Sequence, residues 1–274
     1  MSSGAVPPPT PQPTSMHPTM PYPTVLHPRG TVFTQAPRPE AEVLRAYDGL
    51  AVASVHEAMG QRNLLRGVRS LAPGTRAVGR AVTALDLGGS NLTLHALLEV
   101  AGPGDFLVWT SQHGPVDSAV WGANVSESAA ARGLAGAVIE GHARDIADIE
   151  RVGFPLWALG VTPAATGKTR VGWGNVPVVC CGAYVRPGDV IVADGDGVAV
   201  VPLEDAGRVA EAAAARDLRE TTTLTPRVRA GESLFAVRDW SGNFPSDGGR
   251  FVDAAWDRPA SPGAESPTPR TETR

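Results

Sequence analysis

An α/β fold is what this sequence predicts, on three observations. Between residues 42 and 240, short apolar runs alternate with segments whose apolar residues recur at helical spacing. The joints between them are Gly-bearing turns such as Gly102-Pro103-Gly104-Asp105 and Gly195-Asp196-Gly197. That stretch of about 200 residues is long enough for one sizeable core. The ends, rich in Pro, Ser and Thr, cannot bury enough surface to offset the entropy of ordering. The organisation read from this is a disordered Pro-rich tail over 1–40, one domain over 41–240 and a second disordered tail over 241–274.

Taken in order, EAEVLRAYDGLAVASVHEAMG predicts helices over 41–47 and 52–59, parted near Asp48-Gly49 and stopped by Gly60. RAVGRAVTALDL reads as a strand. NLTLHALLEV (91–100) reads as a helix capped by Ser90 or Asn91. FLVWTS is the next strand, followed by a Gly-bearing loop, SQHGPVDSAVWG. Val125 to Arg132 is Ala- and Ser-rich and helical, and Gly133 suits the position after it, where positive φ is needed. AGAVIE is a strand, ARDIADIERVG a short helix ended by Gly153, and PLWALGV a strand. Residues 162–175 read as a polar loop and VPVVCCGAYV as one strand. VIVAD and GVAVVP form a hairpin, Leu203 to Glu220 is an Ala-rich helix, and 226–240 is weakly helical.

The net charge of −4, without a basic block, argues against nucleic-acid and membrane partners. No apolar run is long enough to span a bilayer, and the N-terminal order is not that of a secretory signal, so cytoplasmic placement is expected. Cys180 and Cys181 are adjacent and are expected as small core residues on opposite faces of a strand. Trp109, Trp121, Trp157 and Trp173 read mostly as packing, Lys168 as an exposed cation or, alternatively, a contact for a distal substrate carboxylate, and Asp105, Asp189, Asp194 and Asp196 as turn residues.

Chemistry concentrates where the apolar run Leu134–Ile139 delivers Arg144 and Asp145 at its C-terminal end. A fixed guanidinium binds planar oxyanions through two parallel hydrogen bonds. Asp is a hard oxygen ligand for Mg²⁺. By itself the dipeptide reads more readily as a surface ion pair.

The succession GR-AVT, NLTLHALLEVAGPGDFLV, WG…AAARGLAGAVIEGHARD, GFPLWALG and NVPVVCCGAYVRPGDVIVADGDGVAVVP resembles the RraA-like proteins over about residues 45 to 203, more weakly to about 235. That family includes 4-hydroxy-4-methyl-2-oxoglutarate / 4-carboxy-4-hydroxy-2-oxoadipate aldolases, oxaloacetate decarboxylases and regulators of ribonuclease E activity. The resemblance implies an αββα sandwich related to swivelling phosphohistidine domains. It also implies a homotrimer ring or a hexamer, with active sites between subunits.

It further implies that Arg144 holds the carboxylate and enolate oxygen of a pyruvoyl group while Asp145 ligates Mg²⁺ or Mn²⁺. The loop from Gln112 to Gly122, with Gln112, His113, Gly114, Trp121 and Gly122, would bind substrate. Glu140, beside the Arg-Asp pair, and Glu220, as the subunit-crossing glutamate, are further metal candidates. The chain departs from the pattern at Ala123, 21 residues before Arg144, where aldolase members carry an acid. His113 and His142 are candidate replacements for that acid. The function implied is a metal-dependent lyase that splits a small 2-oxo acid by retro-aldol cleavage or β-decarboxylation through a pyruvate enolate. The alternatives are a repurposed member acting on another acid, or a non-catalytic regulator-type binding protein.

Overall fold

The computed structural model describes residues 27–252. In chain order its elements are α1 (Ala41–Arg45), α2 (Val52–Ala58), β1 (Leu64–Leu65), β2 (Arg69–Ser70), β3 (Ala77–Asp86), α3 (Leu92–Leu98), β4 (Asp105–Ser111) and β5 (Ala119–Trp121). Then follow α4 (Ala123–Ala131), β6 (Gly136–Ala143), α5 (Ile146–Val152), β7 (Leu156–Val161), β8 (Trp173–Gly174), β9 (Val178–Cys180), β10 (Ala183–Val185), β11 (Val190–Asp194) and β12 (Gly197–Val201). A 3₁₀ turn leads into α6 (Ala206–Arg219), and a π-helical stretch, Glu220–Leu224, joins it to α7 (Thr225–Arg229), α8 (Leu234–Val237) and α9 (Asn243–Ser246).

The α/β class holds. One mixed sheet runs β1-β12-β11-β3-β4-β6-β7-β2, with β5 beside β6 and β8 beside β3. β3, β4, β6 and β7 are parallel neighbours, and helices α3, α4 and α5 fall between successive strands of that group. β11, β12 and β1 form an antiparallel limb. β4 is buried at every position, as a parallel strand covered on both faces must be. Leu107, Trp109, Ile139 and Leu156 pack with Leu94, Val125 and Ile149 of the helices. Phe106, Val108, Val138 and Trp157 pack with Val178, Cys180 and Val185. Over the antiparallel limb, Tyr47, Val55, Val209 and Ala213 from α2, α6 and the turn before α2 meet Val190, Val192 and Val201.

Three readings from sequence need correction. The run 176–185 is not one strand but the hairpin β9–β10, because Cys181 and Gly182 sit at φ 47° and 82°, the two left-handed positions of a tight turn. Cys181 is thus a buried turn residue, with its Sγ 4.0 Å from that of Cys180. The side chain of Asn91 does not cap α3. Asp86, at the end of β3, accepts from the amides of Thr93 and Leu94 and from Trp109 Nε1, while Ser90 Oγ accepts from Leu92 N. Burial raises the Asp86 carboxyl pKa against the pull of those donors.

Asp105, Asp189 and Asp194 are buried anchors as well as turn residues. Asp105 accepts two bonds from Arg80 (2.8 and 2.7 Å), Asp189 accepts from Arg186 and from Leu203 N, and Asp194 accepts from Val52 N and Asp196 N.

Residues 27–40 fall in the stretch read as tail, yet Val32 bridges to Gly174 and Asn175 Nδ2 donates to Phe33 O at 2.7 Å. Trp173 Nε1 donates to His27 O, and Arg80 Nη1 to Ala36 O. The rest of that tail, 1–26, and residues 253–274 of the second lie outside the described residues. Among the described residues no helix is long and apolar enough to cross a membrane.

Candidate active site

Parallel strands β3, β4, β6 and β7 all end on one side of the sheet, where open α/β sheets hold ligands. β6 runs out at Ala143, and Arg144 N donates to Trp121 O at 3.0 Å, so β5 fixes the turn that follows. Asp145 adopts φ 60°, ψ 41° at the start of α5, a left-handed conformation that Asp tolerates. The result is that both side chains are held side by side and half exposed, with Arg144 Nε 3.6 Å from Asp145 Oδ2.

Asp145 Oδ2 also accepts from Ala123 N at 3.2 Å, at the first turn of α4. Gly122 makes that contact possible: a Cβ there would stand 2.7 Å from the same oxygen. Its φ of −154° is ordinary extended backbone, so the need for glycine is one of space.

Arg144 and Asp145 line a cleft of about 140 Å³. One wall comprises Trp121, Gly122, Asn124 and this pair; the other comprises Asn91, just before α3, and His95, within it, with Thr166 and Lys168 from the segment after β7. The second wall is stitched by Asn91 N donating to Gly167 O and Gly167 N donating to Gly89 O. On its other side the Arg-Asp pair borders an open groove with Ile146, Val161 and Pro163.

Three side-chain atoms in the second wall are shut from solvent and find no hydrogen-bond partner among the described residues: Asn91 Oδ1, His95 Nε2 and Thr166 Oγ1. Unpaired buried polar atoms are costly and rare, and these three belong to residues that line the cleft. Burial, reinforced by the Lys168 charge and opposed by Asp86, lowers the His95 pKa.

Of the residues proposed from sequence, Arg144, Asp145, Trp121 and Gly122 meet at this cleft. The Trp121 ring is buried, donating to Ser126 Oγ and stacked on Phe154 at 5.6 Å, so it is the backbone that serves the site. Gln112, His113 and Gly114 form a turn at the end of β4, with the His113 ring against Gly88, and do not line the cleft. Glu140 accepts from Thr110 Oγ1 and neighbours Cys180, on the face of β6 that carries Val138, and so does not join Asp145. Glu220 pairs with Arg238 and Arg216 beyond α6. His142 Nδ1 contacts Val116 O at 2.9 Å, a structural bond.

Sequence reasoning missed Asn91, His95, Asn124 and Thr166. The available signal was the i,i+4 spacing of Asn91 and His95 in an otherwise apolar segment. Lys168 is exposed, as read, and lines the cleft as well.

For a dication, the donor set at the cleft is a single carboxylate, Asp145; among the described residues no three His, Cys, Asp or Glu gather elsewhere. Mg²⁺ is commonly held by one or two carboxylates, the remainder being water and substrate oxygens, so this set fits it at the minimum.

The sequence pattern of the family described as RraA-like, Aldolase/RraA, matches residues 52–200. A Halalkalibacterium halodurans protein provisionally named 4-hydroxy-4-methyl-2-oxoglutarate aldolase is 35% identical over 164 residues, which cover 60% of this chain and 78% of the relative. The Thermus thermophilus protein named 4-hydroxy-4-methyl-2-oxoglutarate aldolase is 33% identical over 132 residues, 48% of this chain and 79% of its own. Among solved structures, Streptomyces coelicolor RraAS2, an unusual member of the RNase ES inhibitor RraA family, superposes with a TM-score of 0.62 at 29% identity. That superposition covers 69% of this chain and 98% of that one.

Proposed function

The chain belongs to the RraA-like family, and from that premise we propose that it is a lyase acting on a small 2-oxo acid, by aldol cleavage or β-decarboxylation through a pyruvate enolate. The supporting observation is that Arg144, Asp145 and Lys168 line one small cleft at the C-terminal ends of the parallel strands. Arg144 binds the carboxylate beside the ketone and stands where negative charge develops on the keto oxygen. Lys168, on the opposite wall, meets a second carboxylate, which favours a dicarboxylic substrate. Asp145 would hold Mg²⁺ or Mn²⁺ together with substrate oxygens, and the ion, when bound, supplies Lewis-acid stabilisation of the enolate charge. In decarboxylation the C–C bond to the leaving carboxylate breaks, its electrons pass to the keto oxygen, and CO₂ departs without a base.

The test is pyruvate release from oxaloacetate and from 4-hydroxy-4-methyl-2-oxoglutarate, with Mg²⁺ or Mn²⁺ and with chelator. Release is expected to need the metal and to fall at least about 100-fold in Arg144→Ala, the scale of a removed charge-stabilising donor. Turnover indifferent to both changes would overturn the proposal. A second reading, a regulator-type binding protein, draws on Ala123 at the place of an acid and on the kinship with RraAS2. It is favoured if neither substrate turns over and Mn²⁺ leaves thermal unfolding unchanged. A homotrimer or hexamer completes the proposal: the full chain should elute at three or six times its 28.4 kDa mass, and a monomer would remove any shared site.

A further inference from the structure

We infer that Ser90 is a positioning residue of this cleft, its buried hydroxyl fixing the span that carries Lys168 and so setting where a substrate's second carboxylate is met. The inference rests on the lyase reading above and on the part given there to Lys168. That lysine is exposed, lines the cleft and, among the described residues, holds no ion pair. Its ammonium rides on a flexible four-carbon stem. Where the charge can reach is therefore decided by where the backbone under it is held.

No helix or strand includes residues 162–172, so their place comes from bonds to other segments. Upstream of Lys168, Gly167 stands opposite Ser90 in an isolated parallel bridge. Gly167 N donates to Gly89 O at 3.0 Å and Asn91 N donates to Gly167 O at 3.2 Å. The approach is so close that a Cβ on Gly167 would meet Gly89 O at 2.7 Å. Downstream of Lys168, Ser90 Oγ donates to Arg170 O at 2.7 Å while it accepts from Leu92 N at 3.3 Å. Ser90 thus grips both ends of the span 167–170, with Lys168 inside it, and ties that span to the start of α3.

The other ties do not replace it. The Arg170 guanidinium donates to Gly88 O, but that side chain is exposed and water competes for both partners. The next hold downstream is Gly172 N on Thr93 Oγ1 at 2.6 Å. Ser90 is fully buried, so its hydroxyl never touches a substrate and can act only through the residues it ties. Without it the fixed points stand at 167 and 172, and Lys168 lies in a longer unheld stretch. The ammonium then meets the second carboxylate less often and less well aligned, while Arg144 and Asp145, on the opposite wall, keep their places.

The experiment is a double-mutant cycle in the full-length chain: wild type, Ser90→Ala, Lys168→Met and the two together. Each is assayed for cleavage of 4-hydroxy-4-methyl-2-oxoglutarate with Mg²⁺, alongside its thermal unfolding. Lys168→Met is expected to raise KM about 10- to 100-fold, the worth of a hydrogen bond to a charged group. Ser90→Ala should raise KM about 5- to 10-fold and leave kcat within about threefold, the mark of binding lost equally from substrate and transition state. Because Ser90 acts through Lys168, the double variant should match Lys168→Met alone, whereas a merely structural serine gives losses that multiply. Multiplying losses, a fall in kcat at constant KM, an unaltered Ser90→Ala protein or a wild-type KM in Lys168→Met would each overturn the assignment and leave the lyase reading intact. A wild-type chain inert toward this substrate removes the inference, and one inert toward oxaloacetate as well removes the lyase reading with it. If Ser90→Ala unfolds, Ser90→Cys takes its place in the same cycle, judged by the same two results: matching Lys168→Met supports the role, and multiplying losses overturn it.

Discussion

Replacing Gly122 with alanine is the sharpest test of how Asp145 is held. The backbone there is extended, so the new methyl group brings no conformational strain. It would stand 2.7 Å from Asp145 Oδ2 and 3.4 Å from Arg144 Cγ. Ordinary contact begins near 3.4 Å, so the carboxylate must retreat by about 0.7 Å. That retreat breaks its 3.2 Å bond from Ala123 N. With Asp145 half exposed, the stability loss should be about 1 kcal/mol or less. Displacing a reacting constellation by about 1 Å costs about 100-fold, so kcat/KM should fall about 10- to 100-fold. Pyruvate release from oxaloacetate at saturating Mg²⁺, measured beside the thermal midpoint, decides it. A fully active Gly122→Ala protein with an unchanged midpoint would show that the position of Asp145 is irrelevant to turnover.

Three further outcomes are expected. Asp145→Asn keeps a residue type that tolerates φ 60°, so the fold should persist while the Mn²⁺-induced thermal shift and metal-dependent turnover disappear. Arg80→Met takes two hydrogen bonds from the fully buried Asp105, leaving it Gly102 N and the more distant Arg38, and should cost about 3 kcal/mol in urea unfolding, much of it restored by Arg80→Met with Asp105→Leu. Glu204 has its pKa lowered by its hydrogen bond from Arg186, so the pair contributes stability above the ordinary carboxyl value of about 4.5 and loses it as pH falls through the lower folded-state value. Glu204→Gln should therefore flatten the thermal midpoint against pH in that acid window and lower it slightly at neutral pH, where the wild-type pair contributes in full.

Much of the fold was legible because its elements obey local rules. Gly133 and Gly153 end their helices at φ 73° and 71°, and the alternation of strands and helices gives the parallel group its connections. The Arg144–Asp145 pair was legible because a buried strand must release its next residues at the sheet's end. Other parts hid behind physics that a linear reading does not carry. The Cys181-Gly182 turn lies inside a run of β-branched residues, and nothing in cysteine itself announces a positive φ. Asp86 looked like one more strand residue, yet its carboxylate caps the helix that starts at Leu92. The second wall of the cleft escaped because it joins α3 to a distant downstream segment through the pairing of Asn91 with Gly167 and of Gly167 with Gly89.

The stretch ahead of α1 bears on where this protein can be cut. Trimmed to the limits of the family match, 52–200, or even to residue 41, it would strip partners from Arg80 Nη1, Asn175 Nδ2 and Trp173 Nε1 at a stroke. Pro37 presses on Gly188 so closely that a methyl group there would meet its Cβ at 2.8 Å, so the lost cover would also bare backbone beside the Arg186–Asp189 turn. Residues 27–40 act as a strap across the outside of the sheet, and a shortened version lacking them should show its weakness at the Arg80–Asp105 anchor first.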